Sequence, residues 1–171
     1  MGLKEENFFA GEQPQLRVNV NIGIKSAHRK SVVNVLSTLL ASTQILSIKT
    51  FSFHWNMRGE LTGYLRSVTK GQYDELVLAM NSMAERIRTL GYNVPDTYEH
   101  VMRLSEVDGD SYNQVAMLSE LVKDNEKLAT YIREQKEIVK NAEDHVSLDL
   151  LMKRLEAHEK YAWVFRNILE R

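Results

Sequence analysis

His54 stands beside Trp55 in the stretch Phe53-His54-Trp55-Asn56-Met57-Arg58-Gly59, at the end of an apolar periodic segment. Glu85 is embedded in Met83-Ala84-Glu85-Arg86-Ile87-Arg88-Thr89-Leu90-Gly91, and another histidine opens His158-Glu159-Lys160-Tyr161-Ala162-Trp163. Glu143, Asp144 and Asp149 form an acidic cluster at the junction of two periodic segments. The chain has no cysteine, which excludes disulfides, thiolate metal sites and a Cys nucleophile. Its chemistry therefore rests on imidazole, carboxylate and cationic side chains, and no catalytic or cofactor-binding set is assigned. Each of these residues also has an ordinary structural reading. A lone histidine such as His54 is more often a hydrogen-bonded interface residue than a ligand. Glu85, next to Arg86, reads as a buried ion-pair partner. Trp55 and Trp163 read as packing residues, and Met80 and Met83 as core. Asp144 and Ser147 are natural N-caps, and Asp149 suits a first helical turn.

The elements that must position these residues are helices. The only two prolines, Pro14 and Pro95, lie outside the periodic segments. Val32, Val35, Leu36, Leu39, Leu40, Ile45, Leu46 and Ile48 recur at helical spacing and predict a helix from about Ser31 to Met57, ended by Arg58-Gly59. A second helix is predicted from about Tyr64 to Leu90, through Tyr73, Leu76, Val77, Met80, Met83, Ala84 and Ile87. Gly91 supplies its stop, and Gly71 inside it suggests a bend or a close packing contact. Between Asn93 and Gly109 the pattern predicts a brief connector helix capped by Asp96 or Thr97. A third long helix follows Ser111 and reaches about Asn141, and a fourth runs from near Ser147 to the C-terminus. Leu16 to Ile24 alternates like a strand without an obvious partner. The fold class expected is all-α: a four-helix bundle with a short helix between the second and third long ones.

A chain of 171 residues, 43% hydrophobic and 26% charged, is one ordinary globular domain. Its formal charge of −1 excludes a broadly basic nucleic-acid binder, so DNA affinity would need a local patch or a tail. No uninterrupted apolar run approaches the ~20 residues of a membrane helix, and the N-terminus lacks a secretion signal's pattern. A cytoplasmic protein without membrane attachment is the expectation. Residues 1–27 read as an N-terminal arm and residues 28–171 as the bundle. Lys4, Arg17, Lys25, Arg29 and Lys30 outnumber the glutamates around the arm and are its candidate DNA contacts.

The three stretches quoted above, in that order and on that helical layout, resemble the signatures of the Dps family, the DNA-binding proteins from starved cells. The resemblance covers about Val32 to Leu169 and implies a ferritin-like bundle assembled into a shell of twelve copies. It also implies iron oxidation by peroxide at a di-iron site shared across a two-fold interface, with iron storage and stress protection of DNA as the family's activities. Members ordinarily carry a histidine at the position of His54, another twelve residues on, an aspartate four later, and then D-x-x-x-E. Iron suits such carboxylate and imidazole ligands. Here His54 and Glu85 keep the first and last positions, but the others fall on Arg66, Lys70 and Asn81. A net negative ligand set becomes net positive and should repel ferrous iron. A salt bridge from Glu85 to Arg66 or Lys70 is expected to fill the place of the metal. By the same resemblance, Glu143, Asp144 and Asp149 would line acidic three-fold pores that concentrate cations.

Three functions follow as expectations. The first is a non-enzymatic dodecameric cage that binds DNA non-specifically through its arms, where repetition makes weak contacts useful. The second is an iron-storing ferroxidase using a residual or different metal site. The third is a structural shell doing neither, a partner for an active paralogue.

Overall fold

Near-continuous apolar spacing makes the first helix, α1, which spans Ser26–Asn56. It starts about a turn before the expected Ser31 because tertiary contacts hold its first turn. The Arg29 guanidinium donates from Nε to the Leu90 carbonyl (3.1 Å) and from Nη1 to the Ile24 carbonyl (2.7 Å). The computed structural model describes residues 20–96, 98–107 and 114–170. The alternating Leu16–Ile24 stretch lies partly outside them, and residues 20–24 form no strand.

Helix α2 spans Thr62–Thr89 and runs unbroken through Gly71, where a Cβ would sit 3.7 Å from the Tyr161 hydroxyl. That is an ordinary packing contact and no bend. The helix stops where expected. Gly91 (φ 93°) and Tyr92 return their amides to the Arg88 and Ile87 carbonyls, a left-handed Schellman stop. A Cβ at Gly91 would also come within 2.8 Å of Val20 Cγ2, so glycine is required there twice over.

The connector helix α3 covers Tyr98–Leu104, and the loop after it is tied back to α1 by the Glu106 amide donating to Ser42 Oγ (2.8 Å). Of its two candidate caps, Thr97 lies outside the described residues. Helices α4 (Gln114–Asn141) and α5 (His145–Leu169) complete the bundle. α1 pairs with α2 and α4 with α5, the two pairs join through α1–α4 and α2–α5, and α3 packs on α1. The sequence expectation of four long helices with a short one between the second and third is met.

Leu36, Leu39, Leu46 and Phe53 of α1 meet Leu76, Met83 and Ile87 of α2, Leu121, Leu128 and Ile132 of α4, and Leu151 and Phe165 of α5. Met83 is core, with Met80 packed against it. The tryptophans are not packed as expected: Trp55 is 57% and Trp163 59% exposed on the single chain. α1 is apolar enough over an 18-residue window (mean hydropathy 1.5) to pass for a membrane span, but 72% of that window is buried by the rest of the bundle.

Candidate functional site

The C-terminal turn of α1 lies against the first turns of α2, and this contact places His54 next to Arg66. His54 Nδ1 is 3.1 Å from the Arg66 carbonyl and 3.2 Å from Thr69 Oγ1. A carbonyl only accepts, so the Nδ1 position carries a proton in this contact. Arg66 answers by donating from Nε to the His54 carbonyl (3.3 Å). Its guanidinium carbon lies 5.2 Å from the centre of the Trp55 ring, a cation–π contact. One turn on, Lys70 is exposed and paired with Asp74 at 2.5 Å.

Glu85 is exposed on the single chain rather than a buried ion-pair partner within it, and its neighbour Arg86 pairs with Asp144. Nineteen residues of continuous helix separate Arg66 from Glu85, about 28 Å at ~1.5 Å per residue. Within one chain the expected salt bridge from Glu85 to Arg66 or Lys70 therefore does not form. His54 and Glu85 could share a site only across a subunit contact. Asn81 lies one turn before Glu85 and is likewise exposed.

On the single chain the donors around His54 do not fit iron. Among the described residues no three His, Asp or Glu side chains converge to hold a metal ion. Beside His54 stands a guanidinium that stays charged at every physiological pH and, unlike a carboxylate, has no lone pair to offer. The residues missed from the sequence are buried polar side chains of α2, of which Thr69 holds the His54 ring. Thr69 and Gln72 are fully buried in α2. The signal was present, because stepping back from Leu76 at helical spacing lands on Gln72, Thr69 and Leu65.

Comparison with known proteins covers most of the chain. Residues 33–171 match the ferritin-like domain family. An uncharacterized low temperature-induced protein of Nostoc sp. is 30% identical over 155 residues, covering 88% of this chain and 87% of that protein. The DNA protection during starvation protein 2 of Bacillus anthracis is 28% identical over 142 residues, covering 82% of this chain and 97% of that one. The crystal structure of Dps from Staphylococcus aureus is 27% identical, with a TM-score of 0.77 over 81% of this chain and 94% of its own. The chain belongs to the ferritin-like domain family, and within it to the Dps family by its relatives.

In this Dps-family chain the acidic corner between α4 and α5 divides by role. Asp144 is buried and caps α5, accepting from the Ser147 amide (3.0 Å) and hydroxyl (2.6 Å) and from Arg86 (2.6 Å). Burial opposes its charge, but the bonds from Arg86 and Ser147 outweigh it and hold the carboxyl below its usual range. Asp144 is thus committed to the fold and is not a free pore carboxylate. Glu143 and Asp149 are exposed, and Asp149 pairs with Lys153 at 2.7 Å. Glu143 takes a left-handed φ of 57°, the place a glycine would fill in the Schellman stop of α4.

The cations expected to contact DNA divide as well. Lys4 and Arg17 lie outside the described residues, and Lys25 is exposed just before α1. Lys30 is half-buried and has a partner. Arg29 is buried and bonded to the Leu90 carbonyl at the C-terminus of α2 and to the Ile24 carbonyl before α1, so it anchors the base of the arm rather than offering charge to a phosphate.

Proposed function

We propose that this Dps-family protein is a homo-oligomeric shell of twelve copies in the cytoplasm, which binds and shields DNA without sequence preference. It does not oxidise iron at the position of His54. The observation that carries this reading is the Arg66 guanidinium seated on Trp55 and bonded to the backbone of His54. A fixed cation there opposes Fe²⁺ by Coulomb repulsion and supplies no ligand. DNA shielding is supported by the likeness to the Bacillus anthracis starvation protein. Assembly is supported by an apolar face left open on the single chain. Ile48, Phe51 and Trp55 recur at helical spacing on α1, all exposed, with Phe51 packed on Tyr73 of α2 (ring centres 5.5 Å apart). Such a patch suits burial against a second copy.

DNase digestion of plasmid with and without the protein tests this reading. Plasmid surviving at shell-saturating concentration supports it, and cleavage at the unprotected rate overturns it. The second reading, iron storage, is favoured by Glu143, an exposed carboxylate kept in a conformation that disfavours any residue with a Cβ. On that reading iron enters at the α4–α5 corners and mineralises on inner carboxylates. Peroxide-driven Fe²⁺ oxidation no faster than a protein-free blank would rule it out.

A further inference from the structure

The centre of the bundle is not apolar. Each of the four long helices sends one buried polar side chain into a connected cluster: Thr50 of α1, Gln72 of α2, Asn125 of α4 and His158 of α5, all fully buried. Thr50 Oγ1 donates to the Leu46 carbonyl (2.8 Å) and lies 3.3 Å from Gln72 Oε1. Gln72 Nε2 donates to Asn125 Oδ1 (3.0 Å), while Asn125 Nδ2 donates to the Leu121 carbonyl (2.7 Å). His158 Nδ1 is 3.0 Å from the same Asn125 Oδ1. That oxygen already accepts from Gln72 and cannot donate, so the proton of the neutral imidazole sits on Nδ1.

The other ring nitrogen decides the electrostatics. His158 Nε2, bearing the lone pair, is 3.5 Å from Arg154 Nη2, one helical turn away and itself buried. Arg154 is held there by Glu75 of α2, which takes both terminal guanidinium nitrogens, Nη2 at 3.1 Å. The charged groups on the surrounding helices are already paired. Asp124 of α4 bonds Lys49 of α1 at 2.6 Å, and Glu75 is taken by Arg154. Tyr161, the next ionisable residue inward on α5, lies over Gly71, and burial pushes its hydroxyl pKa up, so it stays neutral. Among the described residues no carboxylate is bonded to the imidazole.

We propose that His158 is an acid-operated release for the bundle: a second proton, at Nε2, sets an imidazolium against the Arg154 guanidinium in the buried centre and drives α5 away from α2 and α4. Like charges at that distance inside the bundle repel far more strongly than in water. Burial first, and then the charge of Arg154, hold the His158 pKa well below 6.5, so the folded bundle keeps the ring neutral where an unfolded chain would protonate it. The stabilisation is complete above the unfolded value of ~6.5 and is lost as pH falls from there through the folded value. Within that window the folding equilibrium should shift toward unfolding by about tenfold per pH unit from this group alone.

The test is urea unfolding of the full-length assembled protein between pH 7.5 and 4.5, comparing wild type with His158→Leu. The leucine variant leaves Asn125 Oδ1 accepting from Gln72 and Arg154 held by Glu75, so other histidines and the carboxylates contribute equally to both proteins. The wild-type equilibrium should lose about tenfold more per pH unit below ~6.5 than the variant. Parallel pH profiles would overturn the proposal. Should the variant fail to assemble, NMR titration of the His158 ring in the wild-type protein decides. A ring that stays neutral until the bundle opens supports the release, and one that titrates near 6.5 with the bundle intact overturns it.

Discussion

At the scale of single residues, the corner between α4 and α5 separates what the fold needs from what it tolerates. Glu143 holds a left-handed conformation at φ 57°, so Glu143→Gly should stabilise the subunit by about 1 kcal/mol, read by thermal unfolding. Asp144 is the opposite case. Removing it leaves Arg86 without its partner and the first turn of α5 without its cap, so Asp144→Ala should cost about 3 kcal/mol at neutral pH. Because its folded pKa is lowered, its contribution is full above the unfolded value of ~3.9 and fades as pH falls below it. The deficit of the variant should accordingly shrink when unfolding is repeated near pH 3. Arg66 carries the functional argument. Arg66→His, Lys70→Asp and Asn81→Asp together should raise ferrous-iron oxidation above the blank. An assembled but inactive triple variant would show that more than ligand identity has been lost. The sequence disclosed these three positions only by resemblance. It could not disclose that Arg66 bonds His54 and covers Trp55 while Lys70 turns to Asp74, because side-chain partners depend on how α1 and α2 are set against each other.

At the scale of elements, all five helices were legible because their apolar spacing is long and interrupted by glycine stops, a proline-bearing connector and the acidic corner before α5. The start of α1 was not, since Arg29 holds that turn partly through the Leu90 carbonyl, distant in sequence. Polar residues in core positions were also overlooked. Gln72, Arg154 and His158 sit in register with Leu76, Leu151 and Phe165, yet a stripe counted by apolar residues skips them. Trp55 and Trp163 are the converse case, as apolar type does not distinguish a core from a face awaiting a partner. On α1 that face can be tested directly. Phe51→Asp with Trp55→Asp should leave the subunit helical, because both side chains are about half exposed, and should break the assembly into smaller species by light scattering.

At the scale of the whole molecule, a chain with formal charge −1 binds DNA only through charge gathered in one place. The bundle spends Arg29, Arg86 and Arg154 on its own contacts, which leaves Lys4, Arg17 and Lys25 as the cations of the arm. Twelve arms on one shell would multiply a weak attraction, and an attraction of that origin must fall steeply with salt. Truncation of residues 1–27 should leave the bundle folded, since the main core begins at Val32. It removes Ile24, however, one of the two carbonyl partners of Arg29. The most direct measurement is gel retardation of plasmid DNA by full-length and truncated protein at low and moderate salt. Retardation by the full-length protein that weakens with salt and disappears with the arm is the predicted result. Absence of retardation at low salt, or equal retardation by an assembled truncated shell, would contradict it.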